Sequence, residues 1–249
     1  MMKSVQKFIL LVLMLAGLAG VRFMKKSHTQ SAEIVVGTSA DFPPFSYIDQ
    51  SAAIVGFDID LIREIFARLS LQYRLENMPF ETLLPQMQFG SIDLIAAGMS
   101  PTPERAARIL FSKPYLSADP LVIVTRADST ISSLADLSGK EVAVNQGYVA
   151  DMQLSARPEI KLLRLPGMSD ALLALTHGKV EAFVTGARTV KPLKQVHGDL
   201  RVVPINELQE STALGISRQR PELREKIDEV LETMAQDGTL SALMEKWQI

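Results

Sequence analysis

The chain has no cysteine among its 249 residues. That excludes disulfides, a thiolate nucleophile and cysteine-ligated zinc, and it leaves no residue after Leu15-Ala16-Gly17 to carry a lipid anchor. Histidine is scarce as well, at His28, His177 and His197 only, without the spacing that metal ligation needs. No metal and no cofactor are therefore expected. An excess of either charge is missing too. The 26 basic residues stand against 28 acidic ones for a net charge of −2, with no basic block beyond the first residues, so nucleic acid is not an expected partner. The N-terminal apolar run, Phe8 to Val21, counts 14 residues and falls short of the ~20 that a bilayer-spanning helix requires. It follows Lys3 and Lys7 and contains a small-x-small site, Gly17-Leu18-Ala19, before Arg22, Lys25 and Lys26. This predicts a signal peptide or N-terminal anchor over 1–21 and a polar tether over 22–32. The folded part is then expected outside the cytoplasm, in the periplasm, either secreted through the inner membrane or retained by an uncleaved segment.

What the chain does have is an ordinary globular balance, 47% hydrophobic and 22% charged, suited to one large or two smaller domains. One stretch, Ile92 to Arg105, organises the rest. Leu94 to Ala97 predicts a buried strand broken at Gly98. Ser100 and Thr102 then offer hydroxyl donors, and Arg105 offers a planar fork of N–H groups that matches a carboxylate. Pro101 and Pro103 stiffen the loop, so less entropy is lost when a ligand orders it. No nucleophile-and-base pair accompanies these groups. Alone, the motif also fits a surface salt bridge, so its meaning rests on the flanking elements.

Those elements alternate. Glu33 to Thr38 predicts a strand, and Ser39 to Tyr47 a proline-stiffened loop on which Phe42 faces a ligand while Phe45 packs as core. Asp58 is expected to cap a helix carrying Leu61, Ile62, Ile65, Phe66 and Leu69 on one face. Asp60 reads as dipole compensation rather than as half of a carboxylate pair, because i, i+2 positions on a helix point apart. A strand over Leu71–Glu76, a helix over Phe80–Met87 and the organising strand complete an α/β layer with a parallel sheet. In such sheets ligands lie at the carboxyl ends of strands, here after Thr38 and Ala97. The pattern then repeats. Strands are predicted over Pro120–Thr125, Glu141–Val144, Ile160–Leu165 and Val180–Gly186. A helix is predicted to start after Gly147-Tyr148, and another to run over Ser169–Thr176. Ser211–Ile216 predicts a last strand, ahead of helices from Pro221 to Gly238 and over Thr239–Trp247.

The order of five motifs carries a family resemblance. They are Gly37-Thr38 with Pro43-Pro44-Phe45, Gly56-Phe57-Asp58-Ile59-Asp60-Leu61, Ile92 to Arg105, Gly139 to Gly147, and Asp237-Gly238-Thr239-Leu240 with Lys246-Trp247. Over about 33–249 the chain resembles the polar-amino-acid solute-binding proteins of ABC transporters, the family 3 periplasmic binding proteins. The resemblance implies a two-lobe α/β fold of the periplasmic-binding-protein type (type II), with a ligand cleft between lobes joined by two crossover strands. Lobe 1 would be 33–121 plus 211–249 and lobe 2 would be 126–205. The crossings would fall near Leu121–Thr125 and Pro204–Glu210. It further implies a monomeric receptor, not an enzyme, that closes on an amino acid or small carboxylate and hands it to a membrane permease.

Residue by residue, the resemblance implies that Arg105 holds the ligand carboxylate, with Ser100, the backbone of Gly98 and backbone N–H groups around Tyr148 and Val149. Phe42 and Phe80 match the positions that sandwich the ligand side chain, and Ser39, Asp41, Thr185 and Gly186 match cleft positions. Three of these depart from the family pattern. Gly186 stands where many members place an Asp for the ligand ammonium. Ser39 replaces an Asp frequent in binders of basic amino acids, and Tyr148 replaces a smaller Thr and would intrude on the cleft. Asp41, Asp151 or Glu181 are the carboxylates expected to compensate, with Glu181 the more structural of the three. Two rival readings share the fold, a cyclohexadienyl- or arogenate-dehydratase-like enzyme and a membrane-tethered ligand sensor.

Overall fold

Apolar residues on both faces of short strands set the architecture. The computed structural model describes residues 33–196 and 199–249; the leader and tether expected over 1–32 lie outside the described residues. In the first sheet Ile34–Thr38 lies between Tyr73–Asn77 and Leu94–Ile95, parallel to both, and Gly215–Ile216 pairs antiparallel with Leu94–Ile95 and Leu110–Phe111. Leu94 and Ala96 pack with Phe57, Leu61 and Ile65 of the Phe57–Leu69 helix, whereas Ile95 and Ala97 pack with Phe80, Leu83 and Met87 of the Phe80–Gln88 helix. Successive strand side chains point to opposite faces, and both faces are covered, which is why this stretch reads as an unbroken apolar run. Each such buried Leu, Ile, Phe or Met side chain stabilises the fold by roughly 1.5–3 kcal/mol.

The second sheet repeats the plan. Glu141–Asn145 lies parallel between Lys161–Leu165 and Ala182–Gly186, and Ala182–Gly186 pairs antiparallel with the long strand Leu116–Arg126. Leu200–Thr212 closes the sheet, antiparallel to Leu116–Arg126 from the Leu200–Arg126 pair to the Thr212–Leu116 pair, with an irregularity between Ile205 and Gln209. These two strands, of 11 and 13 residues, run from one lobe into the other. Their far end belongs to the first lobe, where the Tyr115 hydroxyl donates to Asp58 Oδ1 at 2.6 Å.

Several local expectations change. Leu121–Thr125, read as a crossing, is paired with Leu200–Thr212 along its length and, over Leu121–Val124, with Ala182–Gly186 as well, so it belongs to the second sheet. A β-branched run reads the same in a core strand and in a crossing. The single strand expected over Ser211–Ile216 is two, ending at Thr212 and resuming at Gly215. The loop after Ser39 contains a small three-stranded sheet of Asp41–Phe42, Ser46–Ile48 and Ile54–Val55. Gly56, not Asp58, precedes the first helix, at φ 139°. Asp58 is the second residue of the helix and is fully buried. Asp60 pairs with Arg63 and Lys246 and accepts the Trp247 indole N–H at 2.9 Å, so it ties the first helix to the last.

Candidate functional site

The loops after Thr38 and Ala97 meet the loop after Asn145 in a cleft between the lobes. The first is held by Thr38, whose hydroxyl donates to the Ala96 carbonyl at 2.6 Å, and by Ser46, whose hydroxyl donates to the Ser39 carbonyl at 2.7 Å. Gly98 turns the second loop at φ +62°, and a Cβ there would lie 2.8 Å from the Phe42 ring. Its N–H donates to Asp58 Oδ2 at 2.6 Å. What Gly98 gives the cleft is thus the flat floor beneath Phe42, and its N–H serves the loop.

Thr102 then caps the short Pro103–Ala106 helix that carries Arg105. Arg105 is 5% exposed, and its guanidinium lies 5.3 Å from the Phe80 ring centroid. Nη1 donates to the Ser100 carbonyl at 2.8 Å and Nη2 to the Gly147 carbonyl of the opposite lobe at 2.7 Å. No carboxylate among the described residues lies within ion-pair distance of it. Burial lowers its pKa. A guanidinium held by neutral carbonyls in a buried place is a strong anion site, because its charge lacks a full counter-charge.

Tyr148 occupies the middle of the cleft. Its ring stacks on Phe80 at 3.9 Å between centroids and meets Phe42 edge-on at 4.9 Å, and Phe42 in turn stacks on Phe45 at 5.2 Å. Burial raises the Tyr148 hydroxyl pKa, with Asp41 adding to it and Ser39 opposing as a hydrogen-bond partner. A ligand side chain placed between Phe42 and Phe80 has to displace this ring. Phe45, expected as core, is 3% exposed beneath Phe42.

The carboxylates expected to compensate for Gly186 are engaged elsewhere. Asp41 takes the Ser39 hydroxyl at 3.1 Å and, across the cleft, the Met168 N–H at 3.2 Å. Asp151 takes the Gly147 N–H at 3.0 Å and Arg164 at 2.8 Å. Glu181 takes the Glu141 N–H at 2.9 Å. Val149 opens the Val149–Leu154 helix, and the Thr185 hydroxyl lies 3.2 Å from that of Thr189. Two residues that the sequence reading missed stand at Gly186 instead. A Cβ on Gly186 would lie 2.5 Å from Glu210 Oε1 and 2.8 Å from Asp119 Oδ2. The Ser100 hydroxyl donates to Glu210 Oε2 at 3.1 Å. Burial, with the neighbouring Asp119, pushes the Glu210 carboxyl up to about 7.

Comparison with known proteins identifies the family and the fold. Residues 34–249 match the family of bacterial extracellular solute-binding proteins, family 3. An arginine-binding extracellular protein, ArtP, of Bacillus subtilis is 30% identical over 226 residues, 89% of this chain and 88% of its own. Holo ArgBP from T. maritima superposes with a TM-score of 0.78 at 35% identity, covering 87% of this chain and 96% of its own. An ancestral arginine-binding protein bound to arginine gives a TM-score of 0.80 at 32% identity, covering 86% and 97%, and its glutamine-bound structure gives 0.80 at 34% over the same shares.

Proposed function

This chain belongs to the bacterial extracellular solute-binding proteins of family 3, and from that premise we propose that it is the extracytoplasmic receptor that delivers an amino acid to an ABC-transporter permease. A relative in Escherichia coli is named ABC transporter arginine-binding protein 1. Arginine is the first ligand to test, since ArtP and the ancestral protein are named for binding it. The lobes divide as about 33–115 with 213–249 against about 121–205, the receptor acts as a monomer, and cleft closure about the two long strands is its working motion. Its place is the periplasm; among the described residues no helix is long and apolar enough to cross a membrane.

One observation supports this reading above the others: Arg105 is buried with two neutral carbonyl partners where the lobes meet. A ligand carboxylate supplies the counter-charge that the fold does not. Thr185, Val149 and Gly98 then shape the walls, and the Phe42 and Phe80 rings flank the ligand side chain. The test is isothermal titration of the full chain with arginine, beside Arg105→Ala. The expected result is binding by the wild type and a loss of at least a hundredfold in the variant, about 3 kcal/mol for a truncated charge-assisted contact. Equal affinity in the two proteins overturns the role of Arg105. A thermal shift supplies the parallel readout, since ligand at ~100 times its dissociation constant adds about 2.7 kcal/mol of stability.

A further inference from the structure

A cavity of about 520 Å³ lies beside the cleft and shares no lining residue with the spaces at Arg105 and at Gly186. The first lobe supplies Pro44 and Tyr47, from the loop and small sheet after Ser39, and Trp247 from the Thr239–Trp247 helix. The second lobe supplies Leu172 and Leu173 from the Met168–Thr176 helix and Leu193 from the Val190–Val196 helix. Sites for small organic molecules occupy roughly 300–1,000 Å³ and have mostly apolar walls with a few polar groups. This cavity meets both conditions. Leu173 is large and apolar yet 51% exposed, and covering it with a ligand is favourable. Tyr47 and Trp247 stand edge-on with 6.2 Å between ring centroids, and Asp60 holds the Trp247 indole N–H at 2.9 Å. The aromatic wall is thus fixed before a ligand arrives, which limits the ordering cost of binding.

The charges around the cavity select one kind of ligand. Its ionisable lining residues are Asp41, Lys191 and Lys246. Asp41 is engaged by the Ser39 hydroxyl and the Met168 N–H. Lys246 is engaged by Asp60, with Nζ 2.6 Å from Oδ2, and lies over the Trp247 ring. Lys191 is exposed and has neither an ion pair nor a side-chain hydrogen bond among the described residues. The charge left uncommitted at this apolar cavity is therefore positive among the described residues, and its complement is an anion at the end of an apolar body.

We propose that this cavity is a second ligand site, separate from the cleft, and that it takes a small carboxylate with an aromatic or alkyl body. The body lies between Leu172 and Leu173 on one side and Tyr47 and Trp247 on the other, and the carboxylate meets Lys191. Such a ligand touches both lobes, so its binding favours the arrangement in which they are together.

Trp247 is the single tryptophan of the chain, and its emission reports on this cavity directly. The test titrates the full chain with phenylbutyrate and, at matched shape, with its neutral amide. The acid should bind about three- to fivefold tighter than the amide, the worth of an exposed ion pair. Lys191→Gln should bring the two within about twofold of each other while the amide keeps its wild-type affinity. Leu173→Glu places a like charge on the apolar wall and should weaken the acid at least about tenfold. Both positions are exposed, and a melting curve for each variant reports whether it is folded. Phenylbutyrate also carries a carboxylate that Arg105 could hold, so Arg105→Ala separates the two sites. That variant, once shown to be folded, should keep the full Trp247 response, and saturating arginine should not weaken the probe in the wild type. No change in Trp247 emission up to about 10 mM probe overturns the site. Equal binding of acid and amide by the wild type overturns the anionic ligand. Loss of the response in folded Arg105→Ala, or displacement of the probe by arginine, puts the probe in the cleft and overturns the second site while the receptor reading stands.

Discussion

Asp58 shows how a single side chain is set by its surroundings rather than by its position in a helix. A carboxylate in the first turn of a helix ordinarily serves the terminus. Here it is enclosed on all sides, holds the Gly98 N–H and receives the Tyr115 hydroxyl. It thereby joins the organising loop to the start of the crossover strand. Burial raises its pKa from the ordinary 3.8 to about 6, against the opposing effect of both hydrogen bonds. A raised acid binds its proton more tightly in the folded chain than in the unfolded one. Its favourable contribution is therefore complete below about 3.8 and is lost as pH rises through about 6. The amount is about 3 kcal/mol for a shift of this size. Asp58→Asn mimics the protonated acid and lacks this dependence. The difference in unfolding free energy between wild type and variant, from urea melts, should change by about 2 kcal/mol between pH 4 and pH 7, in favour of the variant at the higher pH. A difference that stays flat across that range would show that Asp58 titrates normally.

At the level of elements, the turn over 146–148 ahead of the Val149–Leu154 helix places the Tyr148 ring against Phe42 and Phe80. Gly147 adopts φ +77°, gives its N–H to Asp151 and its carbonyl to Arg105, and so presents Tyr148 to Phe80. Tyr148→Thr removes the stacked ring and should tighten arginine binding by about ten- to a hundredfold, because a buried aromatic contact no longer has to be broken before the ligand enters. The same change should lower stability by about 3 kcal/mol through lost burial. Weaker binding in that variant would mean that Tyr148 contacts the ligand instead of competing with it. The loop with Ser100 and Arg105 and the strand–helix alternation were legible in the sequence, because each is a local pattern of residue types, whereas the expected intrusion of Tyr148 came from the family resemblance. Glu210 and Asp119 were not legible. Each is an ordinary acidic residue in its own segment, and their meeting depends on the register of two strands distant in sequence. The long Leu200–Thr212 strand was hidden for a related reason. Its burial alternates only in part, since a strand that leaves one lobe for another lacks a constant inner face. Asp58 misled for the opposite reason, because a capping pattern is local and its actual partners are not.

For the molecule as a whole, two polar contacts join the lobes beside the stack of Tyr148 on Phe80 and Phe42. Arg105 donates to Gly147, and Asp41 of the first lobe accepts the Met168 N–H at the start of the Met168–Thr176 helix of the second. The helix has no side-chain cap of its own, and Gly167 leaves the space that Asp41 fills, since a Cβ there would stand 2.4 Å from Asp41 Oδ2. A first-lobe carboxylate thus does for this helix what an N-cap residue usually does, but only while the lobes are together. Losing an N-cap costs about 1 kcal/mol. When that loss falls on the closed arrangement alone, it shifts the closed-to-open ratio by about fivefold, and the apparent affinity of any ligand that requires closure weakens by the same factor at most. Asp41→Ala should therefore weaken arginine binding by up to about fivefold and enlarge the radius of gyration of the ligand-free chain in solution scattering. Saturating arginine should return that radius to the wild-type value. If both the radius and the affinity match the wild type, the Asp41 contact is equally strong open and closed, and the balance between the lobes lies with Arg105 and the aromatic stack.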